Sequence, residues 1–367
     1  MSPRTMASSY LEWAKLCSGA RYNLATSGIA NYPLAQLPVT LSELQINGPT
    51  VYGYEPLQER LARKQGVSAD CVVAASGTAM ANHLAMAAIL SPGDEVLIER
   101  PTYGPLVDVA SYLGARIVRF ERREEEDFQV NPDEVHRHLT AKTRLIVLTN
   151  LHNPTGAYTT QETLQRIGVL AATVGARVLV DEVYLDLLDS PVSSCCHLGE
   201  HFLVTSSLTK AYGLSGLRCG WIIAEPVLAK RIWRLNDLFA ATPVHPGELL
   251  SVIALDHLEQ IGARARSILA ANREALNAFF QGRDDLGGYR SRWGTVTFPA
   301  LRHGSVAEFC ELLRARFETS VVPGHFFEMP EHFRIGLGGD PQMSAEGLQR
   351  LAAALDAYRQ RAQGSGA

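Results

Sequence analysis

The chain has 367 residues, of which 46% are apolar and 20% are charged, and its formal net charge is −4. This composition is that of an ordinary globular protein, so it excludes disordered and fibrous classes, and the length predicts about two domains. No dense Lys/Arg block and no apolar run of about 20 residues occurs, so we expect neither nucleic-acid binding nor a membrane span.

Short runs rich in β-branched residues alternate with amphipathic helical patterns from residue 71 to residue 224, which predicts an α/β fold. We expect strands at 71–75, 95–98, 116–120, 145–148, 177–180, 202–205 and 221–224. Several of these runs are apolar throughout, which is typical of strands buried on both faces in a mainly parallel sheet covered by helices. Ligands of such sheets bind at the carboxyl ends of the strands.

The remainder of the chain predicts a second, smaller unit. Residues 243–247 interrupt a helical region, and residues 249–281 read as a long helix with a break near Gly262. Beyond it, short strands at 295–298, 320–322 and 333–335 alternate with helices at 305–316 and 344–361.

Two motifs follow the first predicted strands. The turn Ser76-Gly77-Thr78 precedes a helix, where free backbone N–H groups and the helix dipole attract anions, although a Ser/Thr helix cap has the same pattern. Tyr103 follows the next strand and can stack on a planar ring there, although a lone tyrosine is more often a core residue.

Two further motifs follow later strands of the sheet. Asn153 lies in a turn after the strand at 145–148 and can donate a side-chain N–H to a ligand, although an Asn-Pro pair often only forms a turn. Asp181 ends the strand at 177–180, where a carboxylate is costly unless a cation such as a protonated ring nitrogen pairs with it. Tyr184 lies three residues further on, within reach of the same ring.

The segment from residue 206 to residue 220 combines an amine, hydroxyls and a guanidinium among small residues. Lys210, Ser207 and Arg218 could there hold an aldehyde and a phosphate together. A lone lysine or arginine in a glycine-rich loop is more often simply solvated, so this segment gains weight only beside the other motifs.

In this order, the motifs Ser-Gly-Thr-Ala, Pro-Thr-Tyr, His-Asn-Pro-Thr-Gly, Asp-Glu-Val-Tyr and Ser-x-x-Lys with Gly-x-Arg-x-Gly resemble those of fold-type-I pyridoxal-phosphate (PLP) enzymes. Among these the chain resembles the class I/II aminotransferases of the aspartate aminotransferase superfamily. The resemblance implies a large PLP-binding domain at 41–265, with a mainly parallel seven-stranded sheet between helices. It implies a smaller α+β domain formed by residues 1–40 and 266–367.

The resemblance also implies a role for each matching residue. Lys210 matches the Schiff-base lysine, Asp181 the partner of the pyridinium nitrogen, and Tyr184 and Asn153 the groups that bond the ring's phenolic oxygen. Tyr103 would stack on the ring. The residues expected at the phosphate are Ser76, Gly77, Thr78, Ser207 and Arg218.

The substrate and the dimer are implied by three more residues. Arg334 would grip the substrate α-carboxylate, with Gly28 and Asn153 as further substrate-binding residues. Tyr52 would reach the phosphate in the partner subunit, which implies a homodimer with its active site at the interface. The spacing after Tyr52 is compressed, and Gln58 stands where the family has arginine.

We therefore expect an aminotransferase that moves an amino group between an L-amino acid and a 2-oxo acid through a Schiff base on Lys210. The alternative is another PLP reaction on the same scaffold, such as β-elimination by a C–S lyase, decarboxylation or amino-acid cyclisation in specialised metabolism. A ligand-sensing regulator would need a DNA-binding module, and only about forty residues precede Leu41. A pure scaffold protein would leave Lys210, Asp181 and Arg334 unexplained.

The substrate side chain is left open by the sequence. No second arginine can be assigned to a distal carboxylate, and Arg4, Arg21 and Arg292 stay as candidates. The N-terminus lacks the regions of a signal peptide, and the six cysteines show neither C-x-x-C nor metal-ligand spacing. We expect a cytoplasmic protein with reduced cysteines and without a metal site.

Overall fold

The computed structural model describes residues 5–190 and 192–364, with side chains described up to residue 361. The helices are α1 (Ser9–Leu16), α2 (Glu55–Gln65), α3 (Gly77–Ile89), α4 (Gly104–Tyr112), α5 (Pro132–His138), α6 (Gln161–Thr173), α7 (Pro226–Asn236), α8 (His245–Asp256), α9 (Leu258–Phe280), α10 (Val306–Phe317) and α11 (Pro341–Gly364). The strands are β1 (Tyr22–Asn23), β2 (Val72–Ser76), β3 (Glu95–Arg100), β4 (Arg116–Glu121), β5 (Thr143–Thr149), β6 (Arg177–Asp181), β7 (Phe202–Ser207), β8 (Cys219–Ile223), β9 (Leu286–Gly287), β10 (Val296–Thr297), β11 (Ala300–Leu301), β12 (Thr319–Ser320), β13 (Val322–Pro323) and β14 (Phe333–Gly336).

Seven strands form one large sheet in the order β2-β8-β7-β6-β5-β3-β4. All neighbouring pairs are parallel except those that β8 makes with β2 and β7, which are antiparallel. The central strands are buried almost along their whole length, since their Val, Leu and Ile side chains meet helices on both faces. The predicted mainly parallel seven-stranded sheet is therefore confirmed.

The long helical region after residue 244 breaks at His257 and not near Gly262, so that prediction is wrong. The backbone of His257 leaves the helical conformation, with φ −115° and ψ 20°, and α9 starts at the next residue. Gly262 lies buried inside α9 and causes no break in it.

Short strands join the two ends of the chain. β1 pairs in parallel with β12, and β14 lies between β10 and β13 in an antiparallel sheet. Helix α11 packs along α9 and α10. The predicted C-terminal strands and helices are thus present, whereas the exact division of the chain into domains stays a prediction.

The segment that follows β1 runs along the carboxyl edge of the large sheet. Its backbone bonds both to the C-terminal part, through Gly336 N–H to Leu24 O at 2.7 Å, and to the loop after β7, through Ile29 N–H to Lys210 O at 2.9 Å. This segment therefore closes one side of the space above the strand ends. In the described part of the chain, no helix is both long and apolar enough to cross a membrane.

Candidate active site

A cavity of about 280 Å³ opens where the strand ends of the large sheet meet α1 and the segment after β1. Its position is the one that parallel α/β sheets use for ligands. The predicted residues that line it are Thr78, Tyr103, Asn153, Asp181, Tyr184, Ser207, Lys210 and Arg218. Residues that are up to 140 positions apart in the sequence are thus brought to one cavity.

Asp181 ends β6 with its carboxylate directed into this cavity, and only 5% of the residue is exposed. One carboxylate oxygen accepts the Val183 N–H at 3.1 Å, and the other accepts the Asn82 side-chain N–H at 2.8 Å. The Thr205 hydroxyl in turn donates to Asn82 Oδ1 at 2.5 Å, which fixes the orientation of the amide. Burial raises the pKa of Asp181 to about 6, opposed by the Asn82 bond, so the carboxylate is charged at neutral pH.

Asn82, which sequence reasoning missed, belongs to this cavity. It lies on α3, five residues after the phosphate turn, and reads in the sequence as one more polar residue of a helix. Its partner Asp181 is 99 residues away in the chain. No local signal could have found this contact.

Lys210 follows β7 and faces Asp181 across the cavity. Burial lowers the pKa of Lys210 to about 8, and the nearby Arg334 and Arg218 lower it further while Asp181 opposes them. A side chain on Gly28 would lie 3.3 Å from Lys210 Cδ, so glycine at this position leaves the lysine room to move. The amine therefore exists partly in its neutral, nucleophilic form near pH 8.

The turn before α3 forms a site for an anion. The Arg218 guanidinium donates to Ser76 O at 3.0 Å, and Gly77 N–H donates to Arg218 O at 2.9 Å. Gly77 has φ +76°, and a side chain there would overlap the Arg218 guanidinium, so the turn requires glycine. Thr78 donates to the Ser207 hydroxyl at 2.8 Å. The helix N-terminus, two hydroxyls and the guanidinium match the acceptor oxygens of a phosphate.

Tyr103 and Tyr184 form the aromatic walls of the cavity. Burial raises the pKa of both phenols, so each stays protonated at neutral pH and can donate a hydrogen bond. The Tyr103 ring meets the Tyr10 ring edge to face, with centroids 5.6 Å apart. This contact fixes the plane that Tyr103 presents to a bound ring.

Arg334, on β14, lies directly behind the cavity wall and is fully buried. Its guanidinium donates to Asn153 Oδ1 at 2.8 Å, to the Tyr10 hydroxyl at 2.9 Å and to Ala25 O at 3.1 Å, and these three residues line the cavity. Its Nε has no hydrogen-bond partner among the described residues. A buried cation with a free donor fits an incoming carboxylate.

The far end of the cavity is formed by α1, which the sequence did not connect with the site. Tyr10, Leu11, Trp13 and Ala14 all line this end. Tyr10 is 324 residues away from Arg334 in the sequence, and its helix has only eight residues. A short helix at the start of a chain gives no signal of where it packs.

Of the three arginines left as candidates for a distal carboxylate, Arg21 and Arg292 do not line this cavity. Arg21 lies at the surface, with its Nη1 3.9 Å from the Glu318 carboxylate, and the Arg292 guanidinium packs on Trp293 at 4.8 Å from the ring centroid. Arg4 lies outside the described residues. Among the described residues that line the end formed by α1, none is charged.

Tyr52 does not line the cavity of its own chain. It is 55% exposed, and its hydroxyl donates to Asp237 Oδ2 at 2.8 Å. Its expected contact with a cofactor in the partner subunit stays a prediction.

These side chains fit PLP by their chemistry. The buried carboxylate of Asp181, which accepts from Asn82 and Val183, suits a protonated ring nitrogen. The amine of Lys210 suits an aldehyde, and the turn at Gly77 suits a phosphate. All three groups surround one cavity with aromatic walls.

Comparison with known proteins agrees with this chemistry. The family model described as aminotransferase class I and II matches residues 42–351. Capreomycidine synthase from Streptomyces vinaceus is 28% identical over 363 residues, covering 95% of this chain and 93% of that protein. Arginine–pyruvate transaminase AruH from Pseudomonas aeruginosa is 27% identical over 320 residues, covering 82% of this chain and 80% of that protein.

Two solved structures share the fold. A PLP-dependent aminotransferase from Streptococcus suis has a TM-score of 0.91 at 24% identity, covering 96% of this chain and 98% of that chain. The PLP-dependent cyclase OrfR has a TM-score of 0.88 at 22% identity, covering 98% of this chain and 99% of that chain. At such identities the likeness concerns the fold alone.

Proposed function

Because the chain belongs to the aminotransferase class I and II family, whose cofactor is pyridoxal 5′-phosphate, we propose that it moves an amino group between an L-amino acid and a 2-oxo acid. One observation carries the proposal. A single cavity joins a lysine of lowered pKa, a buried carboxylate of raised pKa and an anion site at a helix N-terminus. Perturbed ionisable groups in one cavity are typical of a catalytic centre.

PLP, when bound, supplies an electron sink for the charge that develops as a bond at the substrate Cα breaks. Asp181, charged at neutral pH, would keep the ring nitrogen of the cofactor protonated. Lys210 Nζ would take the proton from the substrate Cα and deliver one to the cofactor carbon that carried the aldehyde, since its lowered pKa leaves part of the amine neutral. Tyr184 and Asn153 line the cavity and would donate hydrogen bonds to the phenolic oxygen of the cofactor.

Arg334 orients the substrate by binding its carboxylate. In the structure its Nη2 donates to the Tyr10 hydroxyl, and a substrate carboxylate takes the place of that hydroxyl on the guanidinium. Gly28 leaves the space beside Lys210 in which the amino group arrives. A carboxylate fixed in this way determines which Cα bond faces the lysine, and therefore which bond breaks.

The working form in this proposal is a homodimer. The apolar side chains of Ile46, Val51 and Val244 are exposed and line one surface groove of about 440 Å³, with the exposed Tyr52 close by. Contiguous exposed apolar surface of this kind is typical of protein interfaces. Tyr52 then faces the partner subunit and reaches its phosphate. The measurement is the molar mass of the protein in solution by light scattering.

Two further expectations belong to the same proposal. The large domain comprises residues 41–265, and residues 1–40 and 266–367 form the small domain, supported by the pairing of β1 with β12. The protein resides in the cytoplasm, supported by six cysteines that are all free in the structure, as a reducing compartment requires.

A second candidate function is cyclisation or elimination with the same cofactor. It is favoured by the similarity to a protein named capreomycidine synthase and to a PLP-dependent cyclase. Lys210, Asp181 and Arg334 serve that chemistry equally well, because each acts at the Cα and not at the side chain. Only the products distinguish the two functions.

The test is the absorbance spectrum of the purified protein during single additions of amino acids. We expect a band near about 420 nm that one amino acid bleaches toward about 330 nm, together with one equivalent of 2-oxo acid. Lys210→Ala removes the band, and Lys142→Ala, a change of an exposed lysine, keeps it. Ammonia release or a cyclic product without bleaching supports the second function. A protein that shows no band with added PLP refutes both.

A further inference from the structure

A buried ion pair lies behind the cavity, between β3 and the residue that follows β4. Arg122 Nη1 donates to Glu99 Oε2 at 2.7 Å, and both side chains are completely excluded from solvent. The remaining guanidinium donors bond to Phe128 O at 2.6 Å and to the Thr159 hydroxyl at 3.2 Å. Neither charge touches the cavity, so the proposed chemistry leaves this pair without a role.

The pair is connected to the cavity through Thr149, the last residue of β5. Glu99 Oε1 accepts both the Thr149 N–H and the Thr149 hydroxyl, each at 2.7 Å. The same hydroxyl oxygen accepts the Asn153 N–H at 3.0 Å. Asn153 Oδ1 then accepts from Arg334 at 2.8 Å. A continuous series of hydrogen bonds runs from Arg122 to Arg334, and every residue in it is buried.

The charge on the Glu99 carboxylate determines which groups in this series donate hydrogen bonds and which accept them. A hydroxyl has one proton, and donation of that proton to Glu99 leaves only lone pairs on the side that faces the Asn153 N–H. Arg122 in turn favours the charged form of Glu99, whose pKa is raised by burial. A buried ion pair often stabilises a protein less than apolar residues of similar size, because both charges lose their hydration.

We propose that Glu99, Arg122 and Thr149 are positioning residues that hold Asn153, and through it Arg334, in the geometry that binds the substrate carboxylate. The inference rests on the proposed function only in assigning the carboxylate to Arg334. The turn that carries Asn153 is anchored by its N–H to Thr149, and its side chain limits where the guanidinium lies. Loss of the Thr149 hydroxyl releases the turn at that anchor.

The decisive variant is Thr149→Val, which keeps the shape of the side chain and removes the hydroxyl. Thr149→Ser restores the hydroxyl. Thr143, at the other end of the same strand, is a matched control: its hydroxyl donates to Glu95 at 2.8 Å and accepts the Thr140 N–H at 3.0 Å. Thr143→Val therefore removes the same two kinds of bond far from the cavity.

Binding is measured with propionate, a carboxylate without an amine, on the PLP-loaded enzyme through the fluorescence of Trp13 in the cavity. Thr149→Val should raise the Kd of propionate about tenfold, Thr149→Ser less than about twofold, and Thr143→Val not at all, although both valine variants lose similar unfolding free energy. In turnover with an active amino acid, the loss should appear in KM more than in kcat.

Equal Kd values for wild type and Thr149→Val, or an equal rise for Thr143→Val, would overturn the proposal. Glu99→Gln is the second variant if Thr149→Val does not fold, and it should also raise the Kd. The propionate assay needs no turnover. A protein that binds propionate as expected and converts no amino acid therefore refutes the proposed function and leaves the positioning role intact.

Discussion

Replacing Asp181 by asparagine should stabilise the cofactor-free protein at neutral pH. Burial raises the pKa of Asp181 from 3.8 to about 6. Between these values the folded chain holds a proton that the unfolded chain has released, so stability falls as pH rises through that window. Above pH 7 the charged carboxylate lowers the free energy of unfolding by its full amount. The rise of the pKa from 3.8 to about 6 corresponds to about 3 kcal/mol. An asparagine never carries the charge and avoids this deficit.

The hydrogen bonds around the site decide how much of that gain remains. Asparagine can still accept the Val183 N–H. The amide N–H₂ of the new asparagine then faces Asn82. The Asn82 amide must therefore turn its oxygen toward residue 181 and its N–H₂ toward the Thr205 hydroxyl, which can accept as well as donate. Since the side chains at 82, 181 and 205 stay joined by hydrogen bonds, and only the Thr205 hydroxyl proton loses its acceptor, we expect a net gain of about 1 to 3 kcal/mol at pH 7.5.

The assay is urea unfolding of the cofactor-free wild type and variant at pH 7.5 and pH 5. At pH 5 the carboxyl of the folded wild type is mostly protonated, so its loss of unfolding free energy falls to about half. The difference in unfolding free energy between Asp181→Asn and wild type should therefore shrink by roughly 1.4 kcal/mol. Asp70→Asn, the same substitution at an exposed aspartate, is the control. A destabilised variant at pH 7.5, or an equal difference at both pH values, would refute the reasoning.

Three more predictions concern the same cavity. The pKa of Lys210 is lowered from 10.5 to about 8, so wild-type stability should rise with pH between about 8 and 10 relative to Lys210→Met, measured on the cofactor-free proteins by urea unfolding. Arg334→Gln should raise KM about tenfold to a hundredfold, because charged hydrogen bonds to the carboxylate are lost, and steady-state kinetics will measure this change. Trp13→Ala should lower kcat/KM more for bulky than for small amino acids, since a bulky side chain loses the apolar surface of Trp13 at the uncharged end of the cavity, and kinetics with a panel of amino acids will measure this difference.

The large sheet and most of the site could be predicted from the sequence for one physical reason. In a parallel sheet the residues that carry chemistry directly follow the apolar runs that form the strands, so strand and motif are read together. Asp181 at the end of β6 and Lys210 shortly after β7 are examples. The apolar runs were sufficient to predict the strands, because a strand that is buried on both faces consists mainly of apolar residues.

The missed residues lack this coupling between strand and motif. Asn82 meets Asp181 from a helix on another layer, and Tyr10 meets Arg334 from the opposite end of the chain. Both contacts depend on how elements pack, which local patterns do not encode. The break at His257 was misplaced because a single glycine is tolerated inside a helix, and Gly262 lies within α9 without ending it.

The cavity brings together charges that the folded chain tolerates poorly on its own. Burial raises the pKa of Asp181 and lowers that of Lys210, so both shifts disfavour the charged forms, and their mutual attraction removes only part of the penalty. A ligand with a cationic ring nitrogen and a phosphate would relieve this penalty and would therefore stabilise the protein beyond its contact area. Asp181→Asn should then reverse its effect between the two states. The variant should be more stable than wild type without PLP and less stable with saturating PLP, because the relief that wild type gains on binding is what the variant lacks.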